Sequence, residues 1–131
     1  MQFITVLIID DDEDDHFIIK KAFQTDCSST QVYGATTGRQ ALELLGSLQI
    51  IPTVILLDLN MPVMNGFEVL AHLKQSPNYQ IIPVIILTTS QAAADKERAH
   101  QLGATDFITK PTSYEGMVAI ANRIRLGLLE G

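Results

Sequence analysis

Residues 54–62, with the sequence VILLDLNMP, decide the fold of this chain. Four consecutive apolar residues with no polar alternation are typical of a strand that is buried on both faces in the middle of a parallel sheet. The strand ends on Asp58, and since burying an unpaired carboxylate is costly, Asp58 is either a capping group or part of a site. Pro62 and the pair Asn65 and Gly66 stop the strand, so the chain turns where Asp58 emerges. In an open parallel sheet, ligands bind at this edge.

Strand and helix patterns alternate along the rest of the chain. Short apolar runs predict strands over residues 4–10, 31–35, 54–57, 83–87 and 106–109. Apolar spacing, capping boxes and stop signals predict helices over residues 13–25, from residues 37–40 to a point before Pro52, over residues 65–75 and 91–102, and from residues 112–115 onward. Because parallel strands need right-handed crossovers, this alternation predicts an α/β fold with a doubly wound parallel sheet of five strands and five helices on both faces.

The apolar faces of these helices predict which side chains pack on the sheet. The first helix is expected to direct Phe17, Ile18, Ala22 and Phe23 inward, the second Ala41, Leu44, Leu45 and Leu48, the third Phe67, Leu70 and Leu73, and the last Met117, Ile120, Ala121, Ile124 and Leu128. Three more apolar residues of the last helix, Val118, Leu126 and Leu129, fit either the core or a patch through which two copies form a homodimer.

The length and composition fit one domain. The chain has 131 residues, of which 47% are apolar, and its last predicted helix ends with the chain, so residues 1–131 are expected to form a single domain with no output domain. The single Cys27 excludes an internal disulfide and fits a reducing compartment. The first ten residues lack a signal-peptide pattern, and no apolar run approaches membrane-spanning length. We therefore expect a cytoplasmic protein with no membrane partner.

The negative charge of the chain is concentrated in one place. Of 15 acidic residues, against 9 basic ones, six are the consecutive residues 10–15 (DDDEDD). The rest of the chain has no basic patch, so nucleic acid is not an expected partner. Residues 12–15 fit a solvated helix start that the helix dipole favours, whereas Asp10 and Asp11 come at the end of a strand and fit a site.

Four of the predicted strands end in polar residues that suit one site: Asp10 and Asp11, then Asp58, Thr88 and Lys110. Because the carboxyl ends of parallel strands share an edge, we expect these side chains to converge in one shallow pocket. Three clustered carboxylates need a cation, and their hard oxygen ligands suit Mg²⁺ or Mn²⁺. A site neutralised in this way can accept a phosphoryl group on Asp58, with Lys110 and the Thr88 hydroxyl holding phosphoryl oxygens.

Taken in order, these motifs resemble the receiver domain of two-component response regulators. The resemblance rests on Asp10 and Asp11 after a strand, residues 58–62 (DLNMP) with Asn65 and Gly66, residues 87–89 (LTT), and Lys110 with Pro111. It covers nearly the whole chain. It implies the flavodoxin-like strand order 2-1-3-4-5 and a stand-alone, CheY-like regulator, similar to the small regulators that pair with phytochrome-type histidine kinases.

The resemblance also implies how the acidic residues act. Asp58 is expected to accept a phosphoryl group from a phosphohistidine of a sensor histidine kinase. Asp11, Asp58 and the backbone carbonyl of Asn60 are expected to bind Mg²⁺, with Asp10 helping through water. The chain would catalyse only its own phosphorylation and dephosphorylation, so it is not expected to be an enzyme for other substrates.

The implied output is a population shift. Phosphorylation draws the Thr88 hydroxyl to the phosphoryl oxygens, Phe107 rotates into the vacated space, and the surface formed by the fourth helix, fifth strand and fifth helix changes. The signal then passes to a downstream protein or to a histidine phosphotransfer domain. The family's bond between the residues matching Lys110 and Pro111 is usually cis, an expectation that depends on the resemblance alone.

Three other functions share part of this pattern. A degenerate receiver would be a binding module that works without phosphorylation, but the set of acids, hydroxyl and lysine is intact here. A flavodoxin-like electron carrier would need a first loop that cradles a phosphate, which the acidic run would repel, and an aspartyl phosphatase would need a cap for which the chain has no room. Phe107 also fits a core residue, and His16, His72 and His100 have no metal-like spacing and are expected at the surface.

Overall fold

The computed structural model describes residues 4–24, 30–47 and 51–130, and strands and helices alternate through them as predicted. The strands are β1 (Ile4–Ile9), β2 (Thr30–Ala35), β3 (Val54–Leu57), β4 (Val84–Thr88) and β5 (Asp106–Thr109). The helices are α1 (Glu13–Gln24), α2 (Gly38–Ser47), α3 (Gly66–Gln75), α4 (Ala93–Gln101) and α5 (Tyr114–Glu130). The strand pairs are parallel and follow the order β2-β1-β3-β4-β5, so the predicted α/β fold and its strand order 2-1-3-4-5 are confirmed.

The sheet has an apolar core on each face. β1 and β3 are buried at every position because their residues face one helical layer or the other in turn. Leu7 and Leu57 pack with side chains of α2 and α3, whereas Ile8 and Leu56 pack with side chains of α1 and α5. A slip of one residue would exchange these faces, so the two cores fix the register of the central strands.

The register places the ends of the central strands side by side. Ile9 of β1 lies opposite both Leu57 of β3 and Ala35 of β2. The hydrogen-bonding pattern continues one residue further, because the Asp58 amide donates to the Ile9 carbonyl (2.9 Å) and the Asp10 amide donates to the Ala35 carbonyl (3.1 Å). Both carboxylates therefore leave the sheet at the same edge.

The inward face of α1 differs from the prediction. Ile19, Ala22 and Phe23 are buried, but Phe17 is 69% exposed and Ile18 is 40% exposed. The buried residues follow the i, i+3, i+4 spacing of one helical face, and that face excludes Phe17. The prediction was therefore right for Ala22 and Phe23 and wrong for Phe17 and Ile18.

The other predicted apolar faces agree with the structure where it describes them. Eight predicted residues are buried, and two lie partly buried against the core: Ala41, Leu45, Phe67, Leu70, Leu73, Met117, Ala121 and Ile124, then Leu44 and Ile120. Val118 packs against the core, whereas Leu126 is 57% exposed. Thr25, Leu48 and the side chains of Leu128 and Leu129 lie outside the described residues.

The N-terminal caps of α2 and α5 differ from the capping boxes predicted from the sequence. At α2, Thr37 caps the helix by accepting from the Gln40 amide (2.9 Å), but the Gln40 side chain accepts from Thr36 and so completes no box with Thr37. At α5 the cap is Ser113, whose hydroxyl accepts from the Gly116 amide (3.0 Å), so the prediction at residue 112 was wrong by one residue. In both places several hydroxyl residues stand next to one another, and the turn geometry selects among them.

Candidate functional site

Three carboxylates meet at the carboxyl edge of the sheet. Asp58 follows β3 and Asp10 follows β1, and both are buried, with exposures of 6% and 2%. Asp11 is exposed, and each of the three offers an oxygen within 4.8 Å of the others. The structure therefore brings together the three acids that the sequence predicts as metal ligands. An all-oxygen set of this kind fits a hard divalent cation such as Mg²⁺ or Mn²⁺.

The electrostatics of Asp10 reflect its burial. Burial raises the pKa of Asp10 above its ordinary value of 3.8, and the hydrogen bonds from Lys110 and from the Asp12 amide offset only part of this rise. The Asp58 charge beside it raises the pKa further. The cluster therefore holds its charge at a cost that a bound cation would relieve.

Lys110 reaches this cluster from the end of β5. Its Nζ lies 2.8 Å from Asp10 Oδ2, 2.7 Å from Asp15 Oδ2 and 3.8 Å from Asp58 Oδ2. Burial alone would lower the pKa of Lys110, but the hydrogen bonds to Asp10 and Asp15 raise it, and the net shift is upward. Lys110 is therefore a fixed positive charge within the site.

Asp15 is a residue that the sequence reasoning missed. The prediction of a solvated helix start is confirmed for residues 12–14, which are exposed, and Asp12 caps α1 by accepting from the Asp14 amide (2.9 Å). It was wrong for Asp15, which pairs with Lys110 across 95 positions of the chain. Nothing in a single sequence marks this contact, because it depends on how the start of α1 meets the residue that follows β5.

His16 also differs from the prediction of a surface residue. It is half-buried, and its Nε2 lies 2.7 Å from the Asp10 carbonyl oxygen. Since a carbonyl only accepts, Nε2 carries the proton and donates. The other side of the ring faces Gly34, where a Cβ would come within 2.6 Å of Nδ1. His72 and His100 are exposed, as predicted.

Thr88 and Phe107 occupy the two predicted switch positions. Thr88 is fully buried at the end of β4, next to the Asp58 strand, and its hydroxyl accepts from the Ser90 amide (3.3 Å). The Ser90 hydroxyl in turn donates to Asp95 in α4 (2.7 Å). Phe107 is half-buried against the core, in accord with its alternative as a core residue. A hydrogen-bonded path thus leads from the Thr88 hydroxyl to α4.

The loop after Asp58 is shaped by a close approach of two backbones. A Cβ on Gly66 would collide with the Asp58 carbonyl oxygen, so only glycine fits at this position. The Gly66 amide donates to the Leu59 carbonyl (3.0 Å), and Asn65 then caps α3 in a full capping box with Glu68. This packing fixes the loop that carries Asn60, whose side chain is exposed beside the site.

The peptide bond between Lys110 and Pro111 corrects one expectation. The resemblance implies a cis bond, but the bond is trans in this structure. The trans form of an X-Pro bond is the more stable by about 0.5–1 kcal/mol when nothing else selects the isomer.

The described residues include no helix that is long and apolar enough to cross a membrane.

Comparison with known proteins agrees with this arrangement. The family model described as the response regulator receiver domain matches residues 6–122. The protein PilH of Pseudomonas aeruginosa is 32% identical over 122 residues, which cover 93% of this chain and 98% of PilH. A probable cyclic di-GMP phosphodiesterase of Vibrio cholerae is 35% identical over 109 residues, but the match spans only 24% of that protein.

Two solved structures show the same fold over most of their length. The phosphorylated cyanobacterial phytochrome response regulator RcpA has a TM-score of 0.89 and 28% identity, covering 98% of this chain and 95% of RcpA. The Mn²⁺-bound form of the response regulator Rcp1 has a TM-score of 0.81 and 28% identity, covering 92% of this chain and 90% of Rcp1. Because the family model matches most of this chain, from residue 6 to residue 122, the chain belongs to the response regulator receiver domain family.

Proposed function

We propose that this protein is the phosphoacceptor switch of a two-component signalling system, with Asp58 as the residue that is phosphorylated. The observation that carries the proposal is the position of Asp58: it is buried at a strand end, shares a cluster with two other carboxylates, and lies 3.8 Å from the Lys110 ammonium, beyond hydrogen-bonding distance. A carboxylate held in this way keeps a lone pair free for attack and has cationic help nearby.

The proposed reaction is a phosphoryl transfer from a phosphohistidine. An Asp58 carboxylate oxygen forms a bond to phosphorus as the bond from phosphorus to the donor's imidazole nitrogen breaks, and that nitrogen keeps the electron pair. Lys110 and the Thr88 hydroxyl would contact phosphoryl oxygens, since Lys110 follows β5 and lies 3.8 Å from Asp58, and Thr88 ends β4 beside the Asp58 strand. The transferred phosphoryl group stays on Asp58 of this chain. In this proposal the protein therefore modifies itself and is not an enzyme for other substrates.

A divalent cation completes the proposed site. Asp10, Asp11, Asp58 and the backbone carbonyl of Asn60 would hold Mg²⁺ or Mn²⁺, a fit supported by the oxygen cluster and by the Mn²⁺-bound form of the related Rcp1. When bound, the ion offsets the carboxylate charges and draws charge from the transferring oxygens. Burial and mutual repulsion of the acids favour its binding, because the single ammonium of Lys110 does not balance them.

The proposed signal leaves through α4, β5 and α5. Engagement of the Thr88 hydroxyl by a phosphoryl group would compete with the hydrogen bond that it accepts from the Ser90 amide, and Ser90 is bonded to Asp95 of α4. Phe107 on β5 would then move into the space that Thr88 leaves. The changed surface would be recognised by a downstream protein, or the phosphoryl group would pass to a histidine phosphotransfer domain.

The proposed donor is a sensor histidine kinase. One relative is the sensor histidine kinase CheAY of Helicobacter pylori, which is 32% identical over 118 residues that make up 14% of that protein. The exposed side chains of Phe17 and Ile18 lie on α1, the helix that supplies Asp15 to the site. They offer apolar surface on which such a donor could dock, and Ile18 lines a pocket together with Asp15 and Lys110.

The experiment that tests the proposal is phosphorylation by a small acyl phosphate. The full chain is incubated with acetyl phosphate and Mg²⁺, and its intact mass is measured beside that of Asp58→Asn and of Asp14→Asn, a control that removes an exposed acid. We expect the wild type and Asp14→Asn to gain one phosphoryl group and Asp58→Asn to gain none. A wild type that gains nothing with either Mg²⁺ or Mn²⁺ contradicts the proposal and favours a binding module that works without phosphorylation.

A further inference from the structure

Asp15 links α1 to the lysine of the site. Its side chain is 29% exposed, and Oδ2 lies 2.7 Å from Lys110 Nζ, the shortest of the three carboxylate distances to that nitrogen. Asp10 Oδ2 lies 2.8 Å away on another side. Two charge-assisted hydrogen bonds thus fix the position of the ammonium group.

The same two bonds keep Lys110 away from Asp58. Its Nζ is 3.8 Å from Asp58 Oδ2, which is beyond hydrogen-bonding distance. An ammonium group has three N–H donors, so the bonds to Asp10 and Asp15 leave one donor for another oxygen. If the bond to Asp15 is lost and the bond to Asp10 is kept, the carboxylate nearest to the freed N–H of Lys110 is that of Asp58.

We propose that Asp15 is a positioning residue for phosphorylation, which holds Lys110 just beyond hydrogen-bonding distance of Asp58. This leaves the Asp58 oxygen free to attack phosphorus and leaves one N–H of Lys110 for an oxygen of the incoming phosphoryl group. The inference rests on the proposed function of the same site. In this role Asp15, the third residue of α1, acts only through Lys110.

The first test compares two neighbouring acids that carry the same charge. Asp15→Asn and Asp14→Asn each remove one negative charge from the first turn of α1, but only Asp15 contacts Lys110. Phosphorylation by acetyl phosphate at saturating Mg²⁺ is followed by intact mass; an Asp58 oxygen bonds to phosphorus while the bond from phosphorus to the acetate oxygen breaks. We expect Asp15→Asn to react about tenfold more slowly than wild type, since a small displacement of a catalytic group has effects of this size or larger. Asp14→Asn is expected to react at the wild-type rate.

A second test asks whether Asp15 acts through Lys110. In a Lys110→Ala background, Asp15→Asn is expected to have no further effect on the rate, because the group that it positions is gone. A crystal structure of Asp15→Asn is expected to show Lys110 Nζ at hydrogen-bonding distance from Asp58, about 2.8 Å. Asp15→Glu keeps the charge and is expected to recover most of the rate.

The outcomes separate this inference from the proposed function. If the wild type is not phosphorylated, the proposed function fails. If the wild type is phosphorylated and Asp15→Asn reacts as fast as Asp14→Asn or faster, only the positioning role fails. An equal slowing by Asp15→Asn with and without Lys110 also overturns it, because the residue would then act on stability or on general charge.

Discussion

At the scale of single residues, Asp10 makes the site sensitive to pH. Burial raises the pKa of Asp10 above 3.8, so the folded protein binds this proton more tightly than the unfolded chain does. In the metal-free protein, the stability that Asp10 contributes is lost as the pH rises through the raised pKa and regained as the pH falls. Metal binding has the opposite dependence, because the cation needs the ionised carboxylate.

The first prediction concerns how Mg²⁺ binding depends on pH. Mg²⁺ affinity, measured by calorimetric titration, is expected to fall as the pH is lowered from neutral into the acidic range, because protons then compete with the cation for Asp10, whose pKa burial raises. Asp10→Asn is expected to bind Mg²⁺ more weakly and with less dependence on pH. An affinity for the wild type that stays constant over this range would contradict the assignment.

The second prediction concerns the hydrogen bond from His16 to the Asp10 carbonyl. His16→Phe removes the donor, and Gly34→Ala displaces the ring from the opposite side, because a Cβ at residue 34 would come within 2.6 Å of Nδ1. Both variants are expected to weaken Mg²⁺ binding about tenfold, as is typical when a residue that orients a metal ligand is lost. His72→Phe on the exposed face of α3 is the control. Equal affinities in all three variants would show that His16 does not orient the site.

The site residues differ in how far the sequence could predict them. Asp10, Asp58 and Lys110 directly follow predicted strands and Thr88 ends one, and the parallel topology alone brings strand ends together. Asp15 lies on a helix, so its contact depends on how that helix is placed relative to Lys110, which comes 95 positions later. Helix packing of this kind is set by the whole core and leaves no local pattern in the sequence.

At the scale of elements, α1 combines a buried face with two exposed apolar side chains, Phe17 and Ile18. Phe23 is fully buried, whereas Phe17 is 69% exposed on the same helix. Sequence spacing predicted the helix and one side of its core face, but Phe17 and Ile18 are apolar without being core residues. An apolar residue outside the core is invisible to a periodicity argument, which assumes that apolar means buried.

The third prediction uses these two phenylalanines as a matched pair. Phe23→Ala is expected to lower the free energy of unfolding by about 3–5 kcal/mol, because it leaves a cavity in the core. Phe17→Ala is expected to change it by no more than about 0.5 kcal/mol. Urea unfolding followed by circular dichroism measures both. A large loss of stability in Phe17→Ala would mean that this side chain is part of the core after all.

At the scale of the whole molecule, the fold places three acids at one edge of a tightly packed sheet. The strand order and both apolar layers could be predicted because the central strands are buried and almost entirely apolar, with Thr5 and Thr88 as their polar residues. Strand and helix ends shifted by one or two residues, as at β4 and α4, since caps and turns are chosen by local geometry. The positions of the three acids therefore depend on the central strands, which are the part of the chain that the sequence predicts best.

The fourth prediction concerns the stability of the entire domain. Asp58→Asn removes a buried charge from the acidic cluster. In EDTA we therefore expect its free energy of unfolding to exceed that of wild type by about 1 kcal/mol, which raises the Tm by a few degrees. Mg²⁺ is expected to raise the Tm of wild type and to have a much smaller effect on Asp58→Asn, because binding to the folded state is what stabilises. Thermal scans with and without Mg²⁺ test this, and equal Mg²⁺ shifts in both proteins would remove Asp58 from the metal site.

The position of the phosphoryl group can be identified chemically, and we expect it on Asp58. Borohydride reduces an aspartyl phosphate to homoserine, so peptide mapping by tandem mass spectrometry after phosphorylation and reduction identifies the modified position directly. We predict homoserine at residue 58 in protein treated with acetyl phosphate and Mg²⁺, and none when EDTA is present. Homoserine at residue 10 or 11, or at no position in protein that is folded and supplied with Mg²⁺, would contradict the account.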